Sequence, residues 1–238
     1  MKPLVEPVAS LAPEELIRTA RHAVLAGIGE EGQRRLAAAR VAVVGAGGLG
    51  SPAILALAAA GVGEVIVIDD DVVERTNLQR QLLHRVDDIG IAKTISAARA
   101  VGDLSPLTRV REHTRRLTPD NAEALLHDAH LVIDGSDSFD TREAVAAATE
   151  ALGIPLVWGA VQEWAAQATV FWSRPNDEAP PVLLGDLFPP GSAGEPPTFA
   201  QVGVLGALCV QVGGLLAVEA VKLITGAGEP LLGRLVVI

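Results

Sequence analysis

Short apolar runs alternate with longer stretches of helical spacing along most of the chain. Val41–Val44, Val65–Ile68 and Leu131–Ile133 are continuous apolar runs, which is typical of parallel strands buried on both faces. The stretches with helical spacing that follow them are residues 51–60, 91–101 and 141–152. Thr118 and Pro119 predict a further helix start, with the threonine as N-cap and the proline at the first helical position. Strands that alternate with helices in this way predict an α/β fold with a doubly wound, mostly parallel sheet.

The pattern changes at both ends of this alternating region. Residues before it predict helices interrupted at Gly27 and Gly29, and a proline-rich stretch after it predicts a long mobile loop. The last elements are predicted as a helix over 202–224 and a strand over Arg234–Ile238, an antiparallel extension of the sheet. We therefore divide the chain into an N-terminal helical segment (1–40), a nucleotide-binding α/β core (41–172), a mobile Pro-rich crossover loop (173–200) and a C-terminal helix and strand that complete the same domain (201–238).

The charge balance argues against two classes of partner. The 238 residues contain 19 Lys and Arg against 29 Asp and Glu, for a net charge of −10. Binding to nucleic acid or to an anionic membrane surface needs a basic face, so neither is expected. We interpret the one basic cluster as a solvated strand edge, with a docking patch as the alternative; its members are Arg109, Arg111, Arg115 and Arg116. A single cysteine, Cys209, excludes an internal disulfide and a cysteine-only zinc site and favours a cytoplasmic location.

One stretch has nearly the length and composition of a membrane span. Val202–Val218 contains Gln211 as its only strongly polar residue. We interpret it as a buried helix, because its glycines suit close packing and because Glu219 and Lys222 follow at once without a basic flank.

A glycine-rich turn joins the first apolar strand to the next helix. Gly45, Gly47 and Gly50 have the GxGxxG spacing in that context, so the backbone can approach a phosphate at the helix N-terminus. Asp69 ends the following strand, where an acid binds ribose hydroxyls. These features alone leave open a mononucleotide, a dinucleotide, or a tight turn without a ligand.

The segment after Asp69 favours a triphosphate. Arg80 can bind phosphate oxygens in a bidentate manner, and Asn77 and Gln81 can donate to the same oxygens. Lys93 opens a later helix from which its ammonium could reach the α- or β-phosphate. Each of these residues alone could be an ordinary surface side chain, whereas their concentration beside a phosphate loop indicates a triphosphate-binding site. We also expect Asp71 of the same segment to be a nucleotide-binding residue.

A second acidic segment follows the Leu131–Ile133 strand. Asp137 is the predicted Mg²⁺ ligand, because magnesium binds one or two carboxylates together with phosphate oxygens. The alternative role for Asp137 is the N-cap of the next helix. Asp134 is expected to close the strand, and Arg142 is expected to be a helix-surface charge that could also reach the crevice.

These segments together resemble a known family. The motifs are GAGGLGSP at 45–52, DDDVVERTNLQRQ at 69–81, the run ending at Lys93, and DGSDSFDTR at 134–142. They are similar to the bacterial E1-like group of ThiF, MoeB and HesA, which activates ubiquitin-like sulfur carriers, and the resemblance covers roughly residues 15–238. A Rossmann-like sheet is the fold that this resemblance implies.

The resemblance implies ATP-dependent adenylation of a carrier's C-terminal Gly-Gly carboxylate, with release of pyrophosphate. It implies that Gly48 contacts the nucleotide and that an arginine, Arg21, reaches into the site of the other subunit of a homodimer. It also implies that Asp69 binds the ribose, that Arg80 and Lys93 bind the phosphates, and that Asp137 binds Mg²⁺.

The chain departs from the family's pattern in ways that bear on its chemistry. The two CxxC zinc pairs of many members are missing, and no cysteine stands near Thr198 and Phe199, where the loop thiol of the family falls. We therefore expect no zinc and no covalent thiol intermediate. Two alternatives of other classes remain: a non-catalytic scaffold with this fold, and an NAD(P)-dependent oxidoreductase, which would leave Asn77, Arg80 and Asp137 without a role. Related E1-like enzymes act on a tRNA base or on peptides, so a tRNA base or a peptide is an alternative to the carrier protein as substrate.

Overall fold

The computed structural model describes residues 1–176, 179–189 and 199–238. The helices are α1 (Pro13–Arg18), α2 (Ala20–Ala23), α3 (Gly29–Ala38), α4 (Gly50–Ala60), α5 (Lys93–Leu104), α6 (Ala122–Leu126), α7 (Phe139–Leu152), α8 (Leu184–Leu187), α9 (Phe199–Val202) and α10 (Gly206–Thr225). The strands are β1 (Arg40–Val44), β2 (Glu64–Ile68), β3 (Arg109–His113), β4 (Leu131–Asp134), β5 (Leu156–Gln162), β6 (Ala165–Phe171) and β7 (Val236–Val237).

All seven of these strands form one sheet in the order β3-β2-β1-β4-β5-β6-β7. The first five strands in this order, β3-β2-β1-β4-β5, are parallel to one another. Strands β6 and β7 add to the β5 edge in antiparallel orientation. The predicted α/β fold with an antiparallel C-terminal extension is confirmed. Because the chain runs outward from β1 through β2 to β3 and then returns to β4 on the other side of β1, the carboxyl ends of β1 and β4 flank a crevice where open α/β sheets bind ligands.

Alternate residues of each strand supply two apolar cores. Val41, Val43 and Val67 face the core that α4, α5 and α10 cover, whereas Ala42 and Val44 face the core beneath α6 and α7. The strands are therefore buried on both faces, which explains why they read as continuous apolar runs.

Helix α10 is a core helix of this domain. It is long and apolar enough to cross a membrane, but its buried face, which includes Leu216 and Leu223, packs against α4 and β5. A Cβ at Gly213 would overlap Pro52, so the glycine allows the close approach of α10 to α4. The predicted helix over 202–224 is divided in the structure, because Gly203 adopts a positive φ of 78° between α9 and α10.

Two predicted boundaries were wrong for local reasons. The helix expected to begin at Thr118 begins at Ala122, because the Thr118 carbonyl accepts hydrogen bonds from the Asn121 and Ala122 amides and Asn121 Oδ1 accepts from the Thr118 amide at 2.9 Å. The final strand is two residues long, and the Arg234 side chain turns back to the Pro230 carbonyl at 2.8 Å.

The segment predicted as a mobile loop has regular contacts over its described part. Val182 and Trp172 exchange both backbone hydrogen bonds, at 2.7 and 3.1 Å, and α8 follows directly. Phe188 then packs edge-on against Trp158, with ring centroids 5.5 Å apart. Thr198, the expected position of the family's loop thiol, lies outside the described residues.

Candidate nucleotide-binding site

A crevice of about 240 Å³ opens at the carboxyl ends of β1, β2 and β4. Nearly all of the residues predicted for the site line it. They are Gly45, Gly47, Gly48, Asp69, Asp71, Asn77, Arg80, Gln81, Lys93 and Asp137. Two predicted residues lie elsewhere: Gly50 lies behind the glycine turn, and Arg21 is exposed on α2.

Three glycines hold the two loops of the crevice together. Gly45 has a φ of 86°, which only glycine adopts readily, and a Cβ there would lie 3.1 Å from the Gly135 oxygen. A Cβ at Gly50 would overlap the Gly45 carbonyl, and one at Gly135 would lie 2.9 Å from the Gly50 nitrogen. The glycine turn and the turn that leads to Asp137 therefore pack backbone against backbone.

The peptide of Ala46 in the glycine turn is fixed on both sides. Its N–H donates to Asp69 Oδ2 at 2.7 Å, and its carbonyl accepts from Ser51 Oγ at 3.0 Å and contacts His84 Nε2 at 3.0 Å. Burial raises the pKa of Asp69, although the nearby Lys93 ammonium acts in the opposite direction. Each carboxylate oxygen of Asp69 has further acceptor capacity, so Asp69 can shape the turn and also bind ribose hydroxyls.

His84 is a residue of the site that the sequence reasoning missed. Its Nδ1 lies 2.8 Å from Ser96 Oγ, which in turn donates to Asp88 Oδ2 at 2.8 Å. Burial lowers the pKa of His84, which favours the neutral ring. The sequence does not reveal this role, because His84 acts through a contact with the Ala46 carbonyl that depends on the fold.

The polar side chains after β2 face the crevice with donors available. Asn77 Oδ1 accepts from the Glu74 amide at 3.0 Å, so its NH₂ group remains available to donate. The Arg80 guanidinium lies 5.3 Å from the Phe199 ring centroid and donates from Nη1 to the Thr76 carbonyl at 3.2 Å. Its Nε is buried without a partner among the described residues.

Lys93 and Asp71 form an ion pair at the edge of this group. Lys93 Nζ lies 2.7 Å from Asp71 Oδ2, and the lysine side chain is 7% exposed against 67% for the aspartate. An ammonium has three donors, so the pair orients Lys93 and leaves two donors for a ligand. Asp71 therefore acts on the site through Lys93.

The N-cap of α7 is Ser138. Its Oγ accepts from the Thr141 amide at 3.2 Å. Asp137 precedes the cap and lines the crevice, so the alternative role of Asp137 as the helix cap is wrong. Its carboxylate is in a position to meet a ligand.

Arg142 reaches the crevice, as expected, but it is buried and is not the helix-surface charge that the sequence predicts. It is 9% exposed, and its guanidinium lies 5.6 Å from the Trp158 ring centroid. Its Nη2 donates to the Ser136 carbonyl at 3.2 Å, and the Ser136 amide donates to Asp134 Oδ1 at 2.9 Å. Complete burial raises the pKa of Asp134.

The basic cluster predicted as a solvated strand edge divides into two pairs. Arg109 and Arg111 form ion pairs with Glu64 at 2.9 Å, and these support the edge strand β3. Arg115 and Arg116 instead line the crevice, because β3 ends just before them at the carboxyl edge of the sheet. The prediction is wrong for this second pair.

Cys209 lies behind the glycine turn. It is fully buried, and a Cβ added at Gly48 would lie 3.0 Å from its Sγ. Burial raises the pKa of the thiol. Cys209 therefore packs as a small buried apolar residue.

Known proteins match the chain over nearly all of its length. The ThiF family profile matches residues 19–238. The probable adenylyltransferase/sulfurtransferase MoeZ of Mycobacterium tuberculosis is 47% identical over all of this chain, which spans 60% of MoeZ. The sulfur carrier protein adenylyltransferase of Thermus thermophilus is 44% identical over 230 residues, covering 93% of this chain and 82% of that protein.

Solved structures agree with the fold. E. coli MccB, in a crystal structure with AMPCPP and MccA, has a TM-score of 0.70 at 25% identity and covers 87% of this chain and 62% of its own. The E. coli dehydratase TcdA in complex with ATP has a TM-score of 0.74 at 23% identity, covering 92% of this chain and 98% of its own, and this likeness concerns the fold alone. A family match of this length, with relatives at 44% and 47% identity across nearly the whole sequence, means that the chain belongs to the ThiF family.

Proposed function

We propose that this chain adenylates the C-terminal Gly-Gly carboxylate of a small ubiquitin-like sulfur carrier, with ATP as the second substrate and pyrophosphate as the product. The observation that carries the proposal is the convergence of Arg80, Lys93 and Asp137 on one glycine-lined crevice. A nicotinamide cofactor would not require this set of charges, so the oxidoreductase alternative is set aside. The scaffold alternative would not require the donors of Arg80 and Lys93 that remain available.

The chemistry needs charge neutralisation and positioning more than a general base. The attacking carboxylate is already anionic; one of its oxygens forms a bond to the α-phosphorus while the bond from that phosphorus to the bridging oxygen of pyrophosphate breaks. In this proposal Asp69 binds the ribose, the glycine turn and Gly48 contact the nucleotide, and Asn77, Arg80, Gln81 and Lys93 bind phosphate oxygens. Asp137 would hold Mg²⁺, and a bound Mg²⁺ would neutralise phosphate charge.

The substrate class is supported by the relatives. The Thermus thermophilus protein named as a sulfur carrier protein adenylyltransferase is 44% identical over 93% of this chain. The tRNA-modifying TcdA, in contrast, is 34% identical over 65% of the chain in one structure. A carrier protein is therefore preferred over a tRNA base or a peptide, and we place the reaction in the cytoplasm without a zinc requirement.

The direct test is exchange of labelled pyrophosphate into ATP. The wild-type chain is expected to catalyse exchange only when Mg²⁺ and a ubiquitin-like carrier ending in Gly-Gly are both present. A carrier shortened by its last glycine is the matched control. Exchange that does not depend on the carrier, or no exchange with any such carrier, contradicts the proposal.

Cys209 is expected to take no covalent part in the reaction. The thiol is fully buried and its pKa is raised, so little reactive thiolate forms near neutral pH. Iodoacetamide should modify the native protein at least about 100-fold more slowly than the urea-unfolded chain. Incubation with ATP and carrier should give no reductant-sensitive adduct on electrophoresis; an adduct that disappears in Cys209→Ala would refute this expectation.

A homodimer is proposed as the active assembly. Helices α1 and α2 expose Ile17 at 79% and an adjoining Val24 at 77%, and Arg21 lies between these residues on the exposed surface. If Arg21 completes the partner's site, mixing Arg21→Ala with Arg80→Ala forms one complete site in each mixed dimer. Exchange should recover to roughly a quarter of the wild-type rate, since half of the dimers are mixed and half of their sites are complete. A monomeric mass at micromolar concentration would exclude this assembly.

A further inference from the structure

One side of the crevice contains a buried cation without an assigned role. Arg142 lines the crevice and is 9% exposed. Its Nε is buried without a hydrogen-bond partner in the described part of the chain, and no carboxylate oxygen there lies within the 4.0 Å of an ion pair. Buried guanidinium groups are almost always paired with an anion, so an anionic ligand is expected here.

The surroundings of Arg142 hold the guanidinium without a hydrogen-bonded anion. Its central carbon lies over the Trp158 ring, 5.6 Å from the centroid, and the Ser136 carbonyl accepts from Nη2. The Arg142 charge acts to lower the pKa of the buried Asp134, but burial outweighs it and raises that pKa. Asp134 uses Oδ1 to accept from the Ser136 amide and makes no hydrogen bond to Arg142. A cation–π contact uses none of the N–H donors of an arginine, and a carboxylate is the anion that matches the geometry of those that remain.

The position of Arg142 differs from that of the proposed phosphate ligands. Arg80 and Lys93 follow β2 in the chain, on one side of the glycine turn. Arg142 is on α7, after β4, and lies over the ring of a β5 residue on the other side. An in-line displacement needs the attacking oxygen and the leaving pyrophosphate on opposite sides of the α-phosphorus.

We propose that Arg142 binds the terminal carboxylate of the acyl substrate and directs it toward the α-phosphorus. The inference rests on the proposed function and adds a recognition site for the second substrate. The guanidinium holds one carboxylate oxygen, and the other oxygen forms the bond to phosphorus as pyrophosphate leaves. No proton moves in this step. Arg142 thus contacts the substrate and recognises the negative charge of the carrier's C-terminal carboxylate.

The test compares two forms of one carrier, a ubiquitin-like protein ending in Gly-Gly with a free carboxylate or with a C-terminal carboxamide. Binding is measured by calorimetry in the presence of Mg²⁺ and AMPCPP, whose α,β-methylene bridge prevents reaction. The wild-type chain is expected to bind the carboxylate form about 10- to 100-fold more tightly, as for a charge-assisted hydrogen bond. Arg142→Gln is expected to lose this preference while its affinity for AMPCPP stays within about threefold.

The control is Arg174→Gln. Arg174 is exposed near the other end of α7 and donates only weakly to the Ala151 carbonyl, at 3.5 Å; the variant should keep the full preference. Arg142→Lys should keep an intermediate preference, because its ammonium retains the charge without the fork of donors, and it decides the matter if Arg142→Gln does not fold.

The outcomes separate this inference from the proposed function. If the wild-type chain exchanges pyrophosphate but Arg142→Gln still prefers the carboxylate form, then the proposed role of Arg142 is wrong and the proposed function stands. An unchanged preference in Arg142→Lys has the same meaning if it is the only folded variant. A wild-type chain without carrier-dependent exchange overturns both proposals. A preference lost specifically in the Arg142 variants supports the carboxylate site, because a purely structural role would weaken both carrier forms equally.

Discussion

Replacing Arg80 by alanine is expected to reduce pyrophosphate exchange by about 100- to 1000-fold, the loss typical of removing one charge-stabilising donor from a transition state. The structure gives the reason. The Arg80 guanidinium is held by Phe199 and the Thr76 carbonyl, so it is already oriented before a nucleotide binds. The unfolding temperature should change little, because the hydrogen bond to Thr76 is long and exposed and because Nε has no partner within the described residues.

The matched control for this prediction is Arg75→Ala. Arg75 belongs to the same segment, but it is exposed and does not line the crevice. Its variant should exchange at nearly the wild-type rate. If Arg80→Ala and Arg75→Ala behave alike, then the triphosphate does not bind at this side of the crevice.

Replacing Gly50 by alanine should damage both stability and nucleotide binding. The added Cβ would overlap the Gly45 carbonyl, which is backbone and cannot rotate away as a side chain could. We expect a loss of about 3 kcal/mol or more, at the upper end of overpacking effects. This corresponds to an unfolding temperature roughly 6–12 °C lower for a chain of this size. Calorimetric unfolding and ATP titration measure the two effects.

Gly102→Ala provides the contrast. Gly102 lies near the end of α5, and no atom lies within 4 Å of an added Cβ. Alanine there should stabilise the chain by about 0.5–1 kcal/mol through its better helix propensity. Equal effects of the two substitutions would mean that the contact between the two loops does not contribute to stability.

The sequence was sufficient for the features that depend on local pattern. Strands such as β1 and β2 are apolar throughout because both of their faces are buried, so their order along the chain predicted the parallel sheet. The positions of Asp69, Arg80 and Asp137 at the crevice could also be predicted from the sequence. Each of them lies in a segment that follows a strand at the carboxyl edge of that sheet. Residues at that edge meet in a doubly wound fold regardless of their distance in sequence.

The remaining features depend on contacts that have no local pattern. Arg142 looked like a surface residue of α7, because nothing in the sequence indicates that Trp158 of β5 would lie beneath it. His84 likewise contacts Ala46 across the fold. The start of α6 was misjudged because Thr118 and Pro119 are good helix-start residues, whereas the side chain of Asn121 stabilises a turn before the helix.

The position of Cys209 behind Gly48 has a consequence for the order in which the molecule assembles. The glycine turn leaves the ribosome about 160 residues before the helix that forms its rear wall. Until α10 docks, Pro52 of α4 lacks its contact with Gly213 of α10, and the turn has no support on that side. A nascent chain would therefore contain the entire phosphate-binding motif and still lack a phosphate-binding site, so that nucleotide binding reports completion of the fold rather than formation of its first half.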